Sequence, residues 1–194
     1  MSILFVDVDT QLDFLFPAGA LYVPGAEQIV AGLGRLQAHA MAKGIAVLST
    51  LDTHAEDDPE FRQYHFPSHC VRGTFGWHKP KSLVSGAATT IEPGPFSGVA
   101  AGPQLIVVKH SLDCFTNPVL DPLVASLRPA QIVVYGVVTE ICVRYAALGL
   151  LDRGYRVAMV SDAVRSLDQN AAASYLSDFA ARGGTLTTVA AVCG

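Results

Sequence analysis

The chain alternates short apolar runs with longer stretches in which apolar residues recur every three or four positions. Ile3 to Val8 is a run of the first kind and predicts a strand buried on both faces. From Ala26 the pattern becomes helical through Ile29, Val30, Leu33, Leu36 and Ala40, and it stops at Gly44. Ile45 to Thr50, Leu105 to Val108, the run from Ile132 to Gly136, Arg156 to Val160, and Leu186 to Val192 predict five further strands. Helical patterns separate them. One starts at Asn117-Pro118 and runs through Leu120, Leu123 and Leu127. A second carries Val143, Ala146, Ala147 and Leu150 and ends near Gly154. A third has Asp168 as its cap, then Ala172, Tyr175, Leu176 and Phe179, and closes at Gly183-Gly184. Trp77 to Gly102 is irregular and long for a loop, which suggests a site cover, a short extra strand pair or a contact with another subunit. Strands alternating with helices predict an α/β fold. The expected architecture is a three-layer α/β/α, doubly wound sheet of about six parallel strands, in one domain over residues 1–194.

Composition narrows the function. Of 194 residues, 15% are charged and 51% hydrophobic, so much of the chain should be interior or covered by a partner subunit, and a homo-oligomer is expected. A net charge of −4 gives no basic field for nucleic acid, so none is expected as a partner. No apolar stretch approaches a membrane span, and no basic leader precedes the first strand. Cys70, Cys114, Cys142 and Cys193 are scattered without a Cys-x-x-Cys spacing, so a reduced, cytoplasmic protein is expected.

The chemistry-bearing residues cluster after predicted strands. Asp9 directly follows the first apolar run; Asp7 and Asp13 flank it and read equally well as turn or cap residues. No glycine-rich turn follows that strand, so a dinucleotide loop is absent. Lys109 follows Leu105 to Val108, and an ordinary surface lysine is the other reading. Cys142 lies where the strand from Ile132 gives way, past Gly136, Thr139 and Glu140, to a helix. It is either a buried inert thiol or a nucleophile at a helix N-terminus. Read together, a thiol, a carboxylate to take its proton and an ammonium to hold the charge fall on one sheet edge. After the second strand, Asp52 and His54 stand at alternate positions and point to the same side of an extended segment. With one distant histidine they offer an oxygen and two imidazole nitrogens, a set suited to zinc, iron or manganese. A solvated acidic loop is the alternative.

These stretches resemble the isochorismatase-like cysteine hydrolases, and most of all the nicotinamidase branch. Asp9-Thr10-Gln11-Leu12-Asp13-Phe14 is similar to the family's opening Asp-x-Gln-x-Asp-Phe pattern, with Leu12 where asparagine is frequent, and Gly19 to Gly25 continues it. Asp52-x-His54 and Pro67-Ser68-His69-Cys70-Val71-x-Gly73-Thr74 resemble the metal segment; Lys109 and Gly136-Val137-Val138-Thr139-Glu140-Ile141-Cys142-Val143 resemble the family lysine and nucleophile turn. The resemblance implies a catalytic triad of Asp9, Lys109 and Cys142. It also implies a cis peptide between Val137 and Val138, with the N–H groups of Val138 and Cys142 as oxyanion hole. It implies one divalent metal, zinc first and iron or manganese as alternatives, on Asp52, His54 and His69. Glu60 is a candidate further ligand where some relatives have histidine. Phe14 and Phe66 become candidates for the aromatic wall, with Phe66 where tryptophan is common. The implied activity is hydrolysis of a small carboxamide, nicotinamide foremost, through a cysteine thioester. The alternative within the family is a metal-independent hydrolase of another small amide, ureido compound or enol ether.

Overall fold

The apolar runs become the strands of a single sheet. In the computed structural model, which describes residues 2–96, 98 and 102–194, the strands are β1 (Ile3–Val8), β2 (Ala46–Asp52), β3 (Ala88–Ile91), β4 (Gln104–Lys109), β5 (Gln131–Val137), β6 (Val157–Arg165) and β7 (Thr185–Thr187). Their order is β3-β4-β2-β1-β5-β6-β7, and every pairing is parallel. The helices are α1 (Leu12–Leu15), α2 (Val30–Lys43, preceded by a 3-10 turn at Ala26–Ile29), α3 (Pro59–Gln63), α4 (Leu120–Leu127), α5 (Arg144–Asp152), α6 (Gln169–Ala181) and α7 (Val189–Cys193).

Strand alternation divides the interior into two cores. Leu4, Val6 and Val8 of β1 face Leu120 and Leu123 of α4, Ala146, Ala147 and Leu150 of α5, and Tyr175 and Phe179 of α6. Phe5 faces the opposite way, into Leu33, Leu36 and Ala40 of α2 and Val189 of α7. Leu33 and Leu36 are completely buried, and each such side chain stabilises the fold by about 1.5–3 kcal/mol. Helix α2 ends as its pattern predicts: Gly44 takes φ 65°, and its N–H reaches the carbonyls of Ala40 and Met41.

The α/β, doubly wound expectation holds, with seven strands rather than about six. The added strand, β3, lies in the irregular stretch after Trp77; it is one edge strand rather than a pair, and residues 97 and 99–101 of that stretch lie outside the described residues. The expected strand from Leu186 to Val192 is corrected. Pairing with β6 stops at Thr187, Thr188 accepts the Ala191 N–H through its hydroxyl, and Asp162 Oδ1 accepts the Val189 N–H, so the chain turns into α7. Strand β6 also runs past Val160 to Arg165, shifting register against β5 between Val134 and Gly136.

The winding places the site. From β1 the chain moves to β2 and out to the edge strand β3, comes back to β4 between β3 and β2, then crosses to β5 on the other side of β1. The carboxyl ends of β1 and β5 therefore flank the point where the strand order reverses, the usual ligand position in an open α/β sheet. Among the described residues, no helix is long and apolar enough to cross a membrane.

Candidate active site

Four strands deliver the chemistry to that edge. Asp9 leaves β1 at φ 47°, a conformation aspartate tolerates better than most residues. The Thr50 hydroxyl of β2 accepts the Asp9 N–H at 3.1 Å and donates to Asp9 Oδ1 at 2.5 Å. Asp52 and Lys109 end β2 and β4 as direct register partners. Cys142 sits in a π-helical turn, Thr139–Val143, between β5 and α5. Strand β5 approaches it through Gly136 at φ 122°, where a Cβ would lie 2.1 Å from the Val8 carbonyl oxygen. The Val137–Val138 peptide is cis.

Lys109 is the junction. Its Nζ lies 3.0 Å from Asp9 Oδ2, 2.7 Å from Asp52 Oδ1, 2.9 Å from the Ser111 carbonyl and 3.7 Å from Cys142 Sγ. Burial opposes its charge, but Asp52, Asp9 and Cys142 outweigh that and hold its pKa well above the lysine norm. The Cys142 thiol is pushed well above its ordinary range, first by burial and then by Asp9 and Asp52, against the pull of Lys109. That direction favours the thiol over the thiolate, so a group able to take its proton matters here. The structure brings the three predicted residues together, each buried.

The second cluster adjoins the first through Asp52. Asp52 Oδ2 lies 3.0 Å from His54 Nε2 and 3.4 Å from His69 Nε2, while its other oxygen is on Lys109. One ligand atom from each of Asp52, His54 and His69 lies within 4.8 Å of the others. His69 Nδ1–H donates to the Pro67 carbonyl at 2.8 Å, and His54 Nδ1–H donates to Asp58 Oδ2 at 3.0 Å, so both rings turn Nε2 inward. Burial alone would lower the His54 pKa, but hydrogen bonds and charge from Asp52, with Asp58 and Glu60, raise it to about 9. Glu60 is buried; its Oε1 lies 3.7 Å from His54 Nε2 and has no hydrogen-bond partner. Burial first, then repulsion from Asp52, raises the Glu60 pKa. A buried, unpartnered carboxylate oxygen beside one oxygen and two inward imidazole nitrogens fits a divalent metal ion.

The model of the Isochorismatase domain matches residues 3–191. The chain belongs to the isochorismatase family. As a family member it is a hydrolase of the isochorismatase and nicotinamidase group. It is 26% identical to the nicotinamidase of Escherichia coli, covering 94% of this chain and 93% of that protein. The fold superposes with a TM-score of 0.80 on the pyrazinamidase of Pyrococcus horikoshii in complex with zinc, at 24% identity and covering 97% and 99% of the two chains. It is also similar to the N-carbamoylsarcosine amidase of Thermoplasma acidophilum, with a TM-score of 0.76, 25% identity and 97% of each chain covered.

In this isochorismatase-family chain, Cys142 opens onto a cleft lined by Phe14, Leu21, Asp52, Phe66, His69, Leu112, Val138, Ile141 and Leu167, with only about 10 Å³ free, roughly one water. A larger cavity of about 830 Å³ shares His69 with the cleft, but neither Cys142 nor Lys109 lines it. Both predicted aromatics stand against His69: ring centroids are 5.4 Å away for Phe14 and 5.9 Å for Phe66, and Phe61 joins at 5.2 Å.

Sequence reading missed the groups that fix these side chains. The Gln11 amide clamps the Asp52 backbone, donating to its carbonyl and accepting its N–H, both at 2.8 Å. Trp77 Nε1 donates to Thr53 Oγ1 at 2.8 Å, holding the residue between the Asp52 and His54 positions. Asp13 accepts the Cys70 N–H at 2.7 Å, next to His69. Glu140 Oε1 accepts the N–H groups of Leu167 and Asp168, holding the loop that brings Leu167 to the cleft. Gln11 and Asp13 stood in the opening motif and Glu140 in the nucleophile turn, but nothing in those motifs showed these contacts, and Trp77 stood in none.

Proposed function

We propose that the protein hydrolyses a small uncharged carboxamide, nicotinamide foremost, to the acid and ammonia. One observation carries this reading: Cys142, Lys109 and Asp9 converge at the sheet edge, and Asp52 ties that group to His54 and His69. Asp9 takes the thiol proton as the Cys142 sulfur attacks the carboxamide carbon, forming the C–S bond, and Lys109 steadies the charge between them. The N–H groups of Val138 and Cys142 receive the oxyanion. As the C–N bond breaks, the proton held on Asp9 leaves with ammonia. Asp9 then deprotonates a water that attacks the thioester; the C–S bond breaks, the acid departs and the proton returns to sulfur.

Asp52, His54 and His69 would hold one divalent ion, with Glu60 as a further oxygen donor. Zinc fits the donor set, and iron or manganese can use the same atoms. When bound, such an ion supplies a Lewis-acidic anchor for a ring nitrogen of the substrate. Phe14 and Phe66 flank the ring. Among the described residues lining the cleft, none is lysine or arginine. That favours a neutral ring over a carboxylate-bearing ureido substrate.

The test is ammonia release from nicotinamide before chelation, after it, and after zinc is restored. Loss on chelation with recovery on add-back is expected. Full turnover by metal-free protein would remove the anchoring role, and no turnover of any carboxamide would remove the amidase reading.

A further inference from the structure

Asp58 is no part of the family pattern read from the sequence, and it stands outside the group formed by Asp52, His54 and His69, behind the His54 ring. Oδ2 receives the Nδ1–H of His54 at 3.0 Å. Oδ1 receives the Glu60 N–H at 2.9 Å and so caps α3, with Pro59 at the first helical position. One side chain thus aims His54 and starts the helix that carries Glu60, the two groups that approach each other at 3.7 Å. Among the described residues, the partner of His69 Nδ1 is by contrast a neutral carbonyl, that of Pro67.

We propose that Asp58 is a positioning residue for the metal site. It holds the His54 ring with Nε2 toward Asp52, the atom that would bind the ion once it gives up its proton, and it makes that imidazole the stronger of the two nitrogen donors. An anionic acceptor behind a ligating imidazole both orients the ring and raises its basicity, and removing such a partner weakens metal binding by about 10–100-fold. The inference rests on the reading of Asp52, His54 and His69 as metal ligands.

The two duties of Asp58 separate by substitution. Asp58→Ser retains a good helix cap but has no group to reach His54. Asp58→Asn has one oxygen for two donors, and its amide N–H₂ cannot accept from Nδ1–H. Asp57→Asn, at an exposed neighbour, removes the same charge without touching the ring. Zinc affinity of the full chain, freed of metal and measured by competition with a chromophoric chelator, should be the same for wild type and D57N. It should be about 10–100-fold weaker in D58S and D58N. Metal-free D58S should still unfold in one cooperative transition, somewhat below wild type for the lost His54 hydrogen bond, and its cobalt(II) d–d bands should shift relative to D57N. Zinc binding and cobalt spectra in D58S and D58N equal to those of D57N would overturn the proposal. A wild-type chain that takes up no zinc would overturn the ligand assignment itself, and the wild-type arm reads that before any variant is compared.

Discussion

Lys109 shows what a single side chain can be asked to do. It is 1% exposed and touches two carboxylates, a carbonyl and a sulfur. Removing its charge leaves Asp9 and Asp52 buried and facing each other. Lys109→Met should therefore lose about 3–5 kcal/mol in chemical denaturation as well as turnover. Cys142→Ala should behave differently: near wild-type folding, no turnover, and no acyl adduct on the protein by mass spectrometry after mixing with substrate. Appreciable ammonia release by C142A would sink the thioester route. Most of this trio was legible in the sequence, because each member follows a buried strand and a doubly wound sheet gathers strand ends. The link from Lys109 to Asp52 was not legible. It depends on the register that sets residue 52 beside residue 109, and nothing local in either segment encodes that register.

At the scale of elements, the turn from β5 into the π-helical segment is the demanding one. Gly136 crosses β1 so closely that a methyl group there would overlap the Val8 backbone. Gly136→Ala should cost more than about 2 kcal/mol through that overlap and the left-handed φ, and lower the melting temperature even in metal-free protein. The long periodic elements were readable for the ordinary reason that α2 and α6 each bury one face. The short ones were not. Helix α1 has four residues and α3 five, too few for a period to show, although Asp58-Pro59 is a cap followed by proline and was a usable signal. The end of the chain misled because Leu186 to Val192 reads as one apolar run. Only Thr188 and the distant Asp162, whose side chains satisfy helix N–H groups, divide it into β7 and α7.

For the whole molecule, a ligand held only by the folded state adds stability by mass action. At free zinc about 100 times its dissociation constant the gain is about 2.7 kcal/mol. For a chain of this size that is roughly 5–10 °C. Differential scanning calorimetry should show that fall on chelation and its recovery with zinc. An unchanged transition would count against the Asp52, His54 and His69 assignment. The low charged fraction, with Phe75, Tyr145 and Leu186 exposed, leads us to expect self-association. Light scattering should return a multiple of the 20.5 kDa chain mass.

Asp52 has the widest consequence. One of its oxygens serves the ammonium and the other serves the imidazoles, so the halves of the site share a single acid and cannot be edited apart. An engineer who neutralised position 52 to alter the imidazole half would also take from Lys109 the nearer of its two carboxylates. Without the Asp52 carboxylate, Asp9 would be the one carboxylate left on Lys109 among the described residues.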